Sequence, residues 1–116
     1  MSAPAGLRRG RLHDPAAGPA VGEVTDPVAI LGGLGGSGDV VVEEIRSGVL
    51  AAPVDYLQDV DEWVVVLRGT ATLVVDGEML ELVPGDWVLL PAGTPHTLVR
   101  TEHGTHWLTV TANRAH

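Results

Sequence analysis

Four residues between positions 56 and 96 of this 116-residue chain have side chains suited to chemistry: Tyr56, Gln58, Glu62 and His96. Tyr56 and Gln58 are two positions apart, so in an extended segment both point to one face. Glu62 leads into the apolar run Val64-Val65-Val66-Leu67. A carboxylate at the entrance to a buried strand is costly without a partner, and a metal ion or an imidazole such as His96 supplies one. His96 opens Thr97-Leu98-Val99-Arg100 just after Pro91-Ala92-Gly93. A histidine at the start of a returning strand aims its ring across a sheet.

The elements that must hold these residues are short strands and tight turns. Pro84-Gly85 is a turn pair, and Trp87 to Leu90 is a short apolar strand that Pro91 ends, because proline has no N–H to give to a ladder. Asp76-Gly77 is the strongest hairpin signal, the type I′ pair, between Thr70–Val75 and Glu78–Val83. Val40 to Arg46 reads as a strand with an apolar start and a charged end suited to a sheet margin. Thr105 to Thr111 is the closing strand. Val28-Ala29-Ile30-Leu31 fits either a short strand or one helical turn after Asp26-Pro27. Gly32 to Gly38 lacks the Lys-Ser/Thr of a phosphate loop and reads as a flexible turn. With strands this short and no long helix, the fold class is all-β, a barrel or sandwich.

Composition narrows the partners. A net charge of −8 and a pI near 4.8 argue against nucleic acid and anionic membranes. The chain has no cysteine, hence no disulfide framework, thiolate metal site or cysteine nucleophile, which suits a cytoplasmic setting. No stretch is long and apolar enough to span a bilayer, and no targeting segment follows Arg8-Arg9-Gly10-Arg11. Residues 1–20 read as a flexible N-terminal arm, 21–111 as one domain and 112–116 as a C-terminal tail.

The stretch Gly85–His96 resembles the second sequence motif of the cupins: a glycine, five residues, Pro-x-Gly, two residues and a histidine, met by Gly85, Pro91, Gly93 and His96. The motif's closing asparagine is replaced by Arg100. Tyr56–Gly69 resembles a degenerate first motif, with six residues between Glu62 and Gly69 and with Tyr56 and Gln58 at the positions of two histidines. The chain also resembles a narrower group of small cupins with Tyr-Asp-Gln, Glu-Trp-Val and Trp-Leu-x-Val segments, here Tyr56-Leu57-Gln58 with Leu57 in place of the Asp, Glu62-Trp63-Val64 and Trp107-Leu108-Thr109-Val110. The resemblance implies a cupin-type jelly-roll barrel and one divalent metal, held here by Gln58, Glu62 and His96, with Tyr56 as a fourth ligand or a hydrogen-bonding wall. Such donors suit Zn, Fe, Mn, Ni or Co without selecting among them. In an enzyme of this kind Tyr56 or Glu62 moves a proton on a small organic substrate. Two other readings stay open: a metal-free pocket for a small-molecule ligand, in which Glu62 and His96 pair, and a purely structural barrel. Small cupins commonly pair, so a homodimer is expected.

The remaining candidates have plainer roles. His13 and His103 read as solvated. His106, in phase with Leu108 and Val110, reads as a partly buried structural histidine, with an extra ligand as the sharper option. Arg100 reads as half of a surface ion pair rather than an anion hook. Trp63, Trp87 and Trp107 read as core or interface fillers.

Overall fold

The turn pairs set the chain's path. In the computed structural model Asp76 and Gly77 have φ of 49° and 81°, the double positive φ of a type I′ turn, and they join β5 (Ala71–Val75) to β6 (Glu78–Leu82). The structure describes residues 12, 23–31 (backbone only), 40–102 and 105–112. Before the hairpin come β1 (Glu23–Leu31), β2 (Val40–Ser47), β3 (Val54–Tyr56) and β4 (Asp61–Arg68). After it come β7 (Trp87–Leu90), β8 (His96–Thr101) and β9 (Thr105–Ala112).

These strands form two antiparallel sheets. One has the order β1-β2-β9-β4-β7, the other β3-β8-β5-β6. Neighbours far apart in sequence, such as β2 with β9 and β4 with β9, give the jelly-roll sandwich that the turn spacing and motifs predict. Val64, Val66, Leu73, Leu98 and Trp107 meet between the sheets. The Trp107 indole N–H donates to Ser47 Oγ at 3.1 Å, which satisfies the one polar atom of that ring inside the core. No helix among the described residues is long and apolar enough to cross a membrane.

Residues around Val28-Ala29-Ile30-Leu31 belong to a strand, not a helical turn. Pro27 is tolerated because β1 lies at the sheet edge and its register with β2 slips between Pro27 and Ala29. The charged end of β2 is not a sheet margin: β2 runs between β1 and β9, and Glu44 is only 3% exposed. The proposed arm apart from Leu12, the Gly32–Gly38 turn, His13, His103 and the tail beyond Ala112 lie outside the described residues.

Candidate functional site

A cavity of about 170 Å³ opens between the sheets. Its polar lining is Glu43, Tyr56, Gln58, Glu62, His96 and Thr109, and its apolar walls include Ile45, Leu73, Leu98 and Trp107. All four residues singled out for chemistry from the sequence are thus gathered here.

Each reaches the cavity by a different route. Tyr56 closes β3, paired with His96 on β8. Their rings stack, with centroids 5.5 Å apart and planes 16° from parallel. Gln58 lies in the loop after β3, so strand alternation alone does not orient it. Its carbonyl accepts from Gly93 N–H at 2.8 Å, which ties this loop to the turn before β8. That turn is closed by Thr94 N–H donating to the Pro91 carbonyl at 3.1 Å, with Gly93 in the left-handed region at φ 80°. Asp61 Oδ1 accepts from Ala92 N–H at 2.8 Å and clamps the same turn to the start of β4. Glu62 follows at the next position.

His96 is 7% exposed. Its Nδ1 lies 3.0 Å from the Thr94 carbonyl. A carbonyl only accepts, so Nδ1 carries the proton in that contact and Nε2 is the nitrogen left facing the site. Glu62 Oε1 lies 3.9 Å from Nε2, beyond hydrogen-bond reach. Gln58 Oε1 is buried without a hydrogen-bond partner. A carboxylate oxygen, an imidazole nitrogen and an unsatisfied amide oxygen therefore line one cavity, and all three can accept or coordinate. This donor set fits a cation: a metal-bound histidine characteristically donates its other ring N–H to a carbonyl. Among the described residues, no three His, Cys, Asp or Glu side chains form a group able to hold a metal.

Other residues are sorted by geometry that the sequence does not reveal. His106 sits on β9 between Thr105 and Trp107. Trp107 and Thr109 line the cavity, so His106 lies on the opposite face and is no ligand there. It is buried, 3.6 Å from Glu44 Oε2, which is the structural role expected of it, though more deeply buried than expected. Arg100 is not in phase with His96 on β8. The ladder with β5 slips between Thr72 and Leu73, and the slip turns Arg100 outward, 3.9 Å from Glu81 with both side chains 63% exposed. Trp107 is core, whereas Trp63 and Trp87 form a tilted pair on the outer face, 6.2 Å apart. Glu43 and Thr109 were not singled out from the sequence. The available signal was a carboxylate in phase with Val41 and Ile45 on a strand otherwise apolar at those positions.

Comparison with known proteins agrees with this architecture. Residues 41–111 match the family model described as a cupin domain. The chain is 38% identical over 68 residues to quercetin 2,3-dioxygenase of Bacillus subtilis (strain 168), a match over 57% of this chain and 20% of that protein, so it spans about a fifth of that relative's length. A Ralstonia eutropha JMP134 protein, provisionally assigned as a mannose-6-phosphate isomerase, superposes with a TM-score of 0.71 at 29% identity, over 90% of this chain and 99% of that one. The Cupin_2 domain of an XRE family transcriptional regulator from Enterobacter cloacae shares the fold, with a TM-score of 0.61 at 20% identity over 81% and 98% of the two chains. A β-sandwich with these two sheets, a histidine on the returning strand and a family match across most of the described barrel make this chain a member of the cupin-domain family.

Proposed function

We propose that this cupin binds one divalent metal through Gln58 Oε1, Glu62 and His96 Nε2 and acts on a small organic molecule held in the adjoining cavity. The observation that carries the reading is the buried Gln58 Oε1, which lacks a hydrogen-bond partner beside a carboxylate and an oriented imidazole. Leaving such an acceptor unsatisfied costs about 1–3 kcal/mol, and a coordinated ion removes that cost. When bound, a divalent metal supplies a Lewis-acid centre at this end of the cavity. The chain's own residues do the rest. Thr94 holds the His96 tautomer, Tyr56 holds the ring plane by stacking, and Glu62 and Tyr56 are the groups positioned to exchange protons with a ligand. Quercetin 2,3-dioxygenase and the Ralstonia eutropha protein, at 38% and 29% identity, have names that describe enzymes, which supports turnover rather than binding alone. A chain without cysteine supports a cytoplasmic setting.

A second reading has its own observation. Because no three strong ligands cluster among the described residues, the cavity also suits metal-free binding or sensing of a small molecule, with Glu62 and His96 facing each other. Elemental analysis separates the two. Protein purified without chelator or affinity-tag metal, then dialysed against Zn, Ni, Mn or Fe salts, should carry about one ion per chain. His96→Ala should lose most of it, since the imidazole is the only nitrogen ligand, and Glu62→Gln should weaken it. Acid should release the ion as protons compete for the ligands. Equal metal in all three proteins places the ion elsewhere. No metal in the wild type leaves the metal-free reading.

A further inference from the structure

The cavity contains a second carboxylate that the metal reading does not use. We propose that Glu43 selects the ligand: it receives a hydroxyl or ammonium donor from a molecule about the size of one six-membered ring and turns away carboxylates and phosphates. This rests on the small-molecule half of the function proposed above.

Register places Glu43 within the barrel. On the inner face, Glu43 of β2, Thr109 of β9 and Val64 of β4 form one row. Thr111 and Glu62 form the next row, on β9 and β4. Glu43 is therefore two strands away from Glu62 and displaced by two residues along the strands. Ordinary strand spacings put their backbones about 12 Å apart. Both side chains line the same cavity, yet Glu43, Glu62 and His96 do not form a metal-holding group. The two carboxylates thus face one space from different walls, and the space between them is open to a ligand.

Size and polarity describe that ligand. A cavity of about 150 Å³ is known to take up benzene, and this one is about 170 Å³. Leu73, Leu98 and Trp107 offer apolar contact for a ring. The polar lining is dominated by acceptors, namely Glu43, Glu62 and Gln58 Oε1. No lysine or arginine is among the described lining residues. Arg100 is spent on Glu81 at the surface, and Arg46 is on the opposite face of β2 from Glu43 and Ile45. A metal ion offsets the charge near Glu62 and leaves that of Glu43. An anionic ligand meets repulsion there with no described side-chain cation to compensate. A neutral donor or a cation is accepted.

Three probes of matched size test the proposal: benzylamine, benzyl alcohol and benzoate, titrated at neutral pH into the full chain and followed by NMR. Affinity ratios are read in metal-stripped protein, where no ion can hold the benzoate carboxylate. The wild type should bind benzylamine and benzyl alcohol and bind benzoate at least about tenfold more weakly. Glu43→Gln, with the same shape and no charge, should reduce the benzylamine-to-benzoate ratio about tenfold. Glu43→Asp should keep the order. The wild-type order and Glu43→Asp decide the matter if the glutamine variant does not fold. Benzoate binding as tightly as benzylamine, a ratio unmoved by Glu43→Gln, or no binding of any probe at millimolar concentration overturns the assignment. Zinc uptake is measured separately on the same preparations. Its loss overturns the metal reading alone, whereas normal uptake with an unmoved ratio overturns the Glu43 assignment alone.

Discussion

At the scale of single residues, the site is organised around one imidazole. His96 is held through Nδ1 by the Thr94 carbonyl and through its face by Tyr56, so its Nε2 has a defined direction before any ligand arrives. This separates two roles that Tyr56 combines, ring support and a hydroxyl. Tyr56→Phe keeps the stack, so zinc affinity should stay near that of wild type while turnover of a ligand falls. Tyr56→Leu removes the ring–ring contact, worth about 1 kcal/mol beyond simple burial, and should lower stability and zinc affinity together. Chemical denaturation and competitive zinc titration of the two variants check this. Equal zinc loss in both would assign the hydroxyl, not the ring, to the metal site.

At the scale of elements, close approach between strands makes different demands on two turn glycines. Gly69 follows β4 with φ +79°, and a Cβ built on it would lie 2.7 Å from Thr105 Oγ1 and 2.8 Å from Thr105 Cα. The Thr105 hydroxyl donates to the Thr70 carbonyl at 2.9 Å and cannot swing away freely. Gly77 in the hairpin has φ +81°, but a Cβ built on it meets nothing within 4 Å. Gly77→Ala should therefore cost only the left-handed backbone penalty, about 1–2 kcal/mol. Gly69→Ala should cost clearly more, because backbone of β9 must also move. Urea unfolding of the pair measures the difference, and equal losses would show that β9 yields without strain. The same clamp logic applies near the site. The Asp61 carboxylate on Ala92 N–H and the Gln58 carbonyl on Gly93 N–H bind two loops into one unit, so Gln58, Glu62 and His96 are positioned together rather than one by one.

At the scale of the whole molecule, the outer face of the larger sheet bears on association. The ladder sets Val65 opposite Trp87 and Trp63 opposite Leu89. Val64, Val88 and Leu90 face inward, so this group faces out, with Trp87 60% and Leu89 56% exposed. Large adjoining apolar side chains at the surface mark contact regions. We expect a homodimer that uses this face. Light scattering at micromolar concentration should give twice the mass of the 12.1 kDa chain, and Trp87→Glu should shift it toward monomer. A monomer mass for the wild type would sink the idea.

Local chemistry made much of this protein legible in its sequence. Asp76-Gly77 favours one hairpin turn and adopts it, since positive φ at both positions suits few residue pairs. Pro91 and Gly93 end one strand and bend the chain back, which delivers His96 to the start of the next in any all-β arrangement. Val-rich runs between such turns require strands. Tertiary structure decided what depends on register and on which faces are covered. A slip of one residue opposite Val99 exchanges the faces of Arg100 and Thr101, and no local preference records it. Placement of β2 inside the sheet, between β1 and β9, buries Glu44 against His106 and turns Glu43 into the cavity, although the charged end of this strand reads as a sheet margin in the sequence. Gln58 reaches the site through a loop tied to a turn 35 residues later, beside the pairing of β3 with β8, a long-range contact that no local preference encodes.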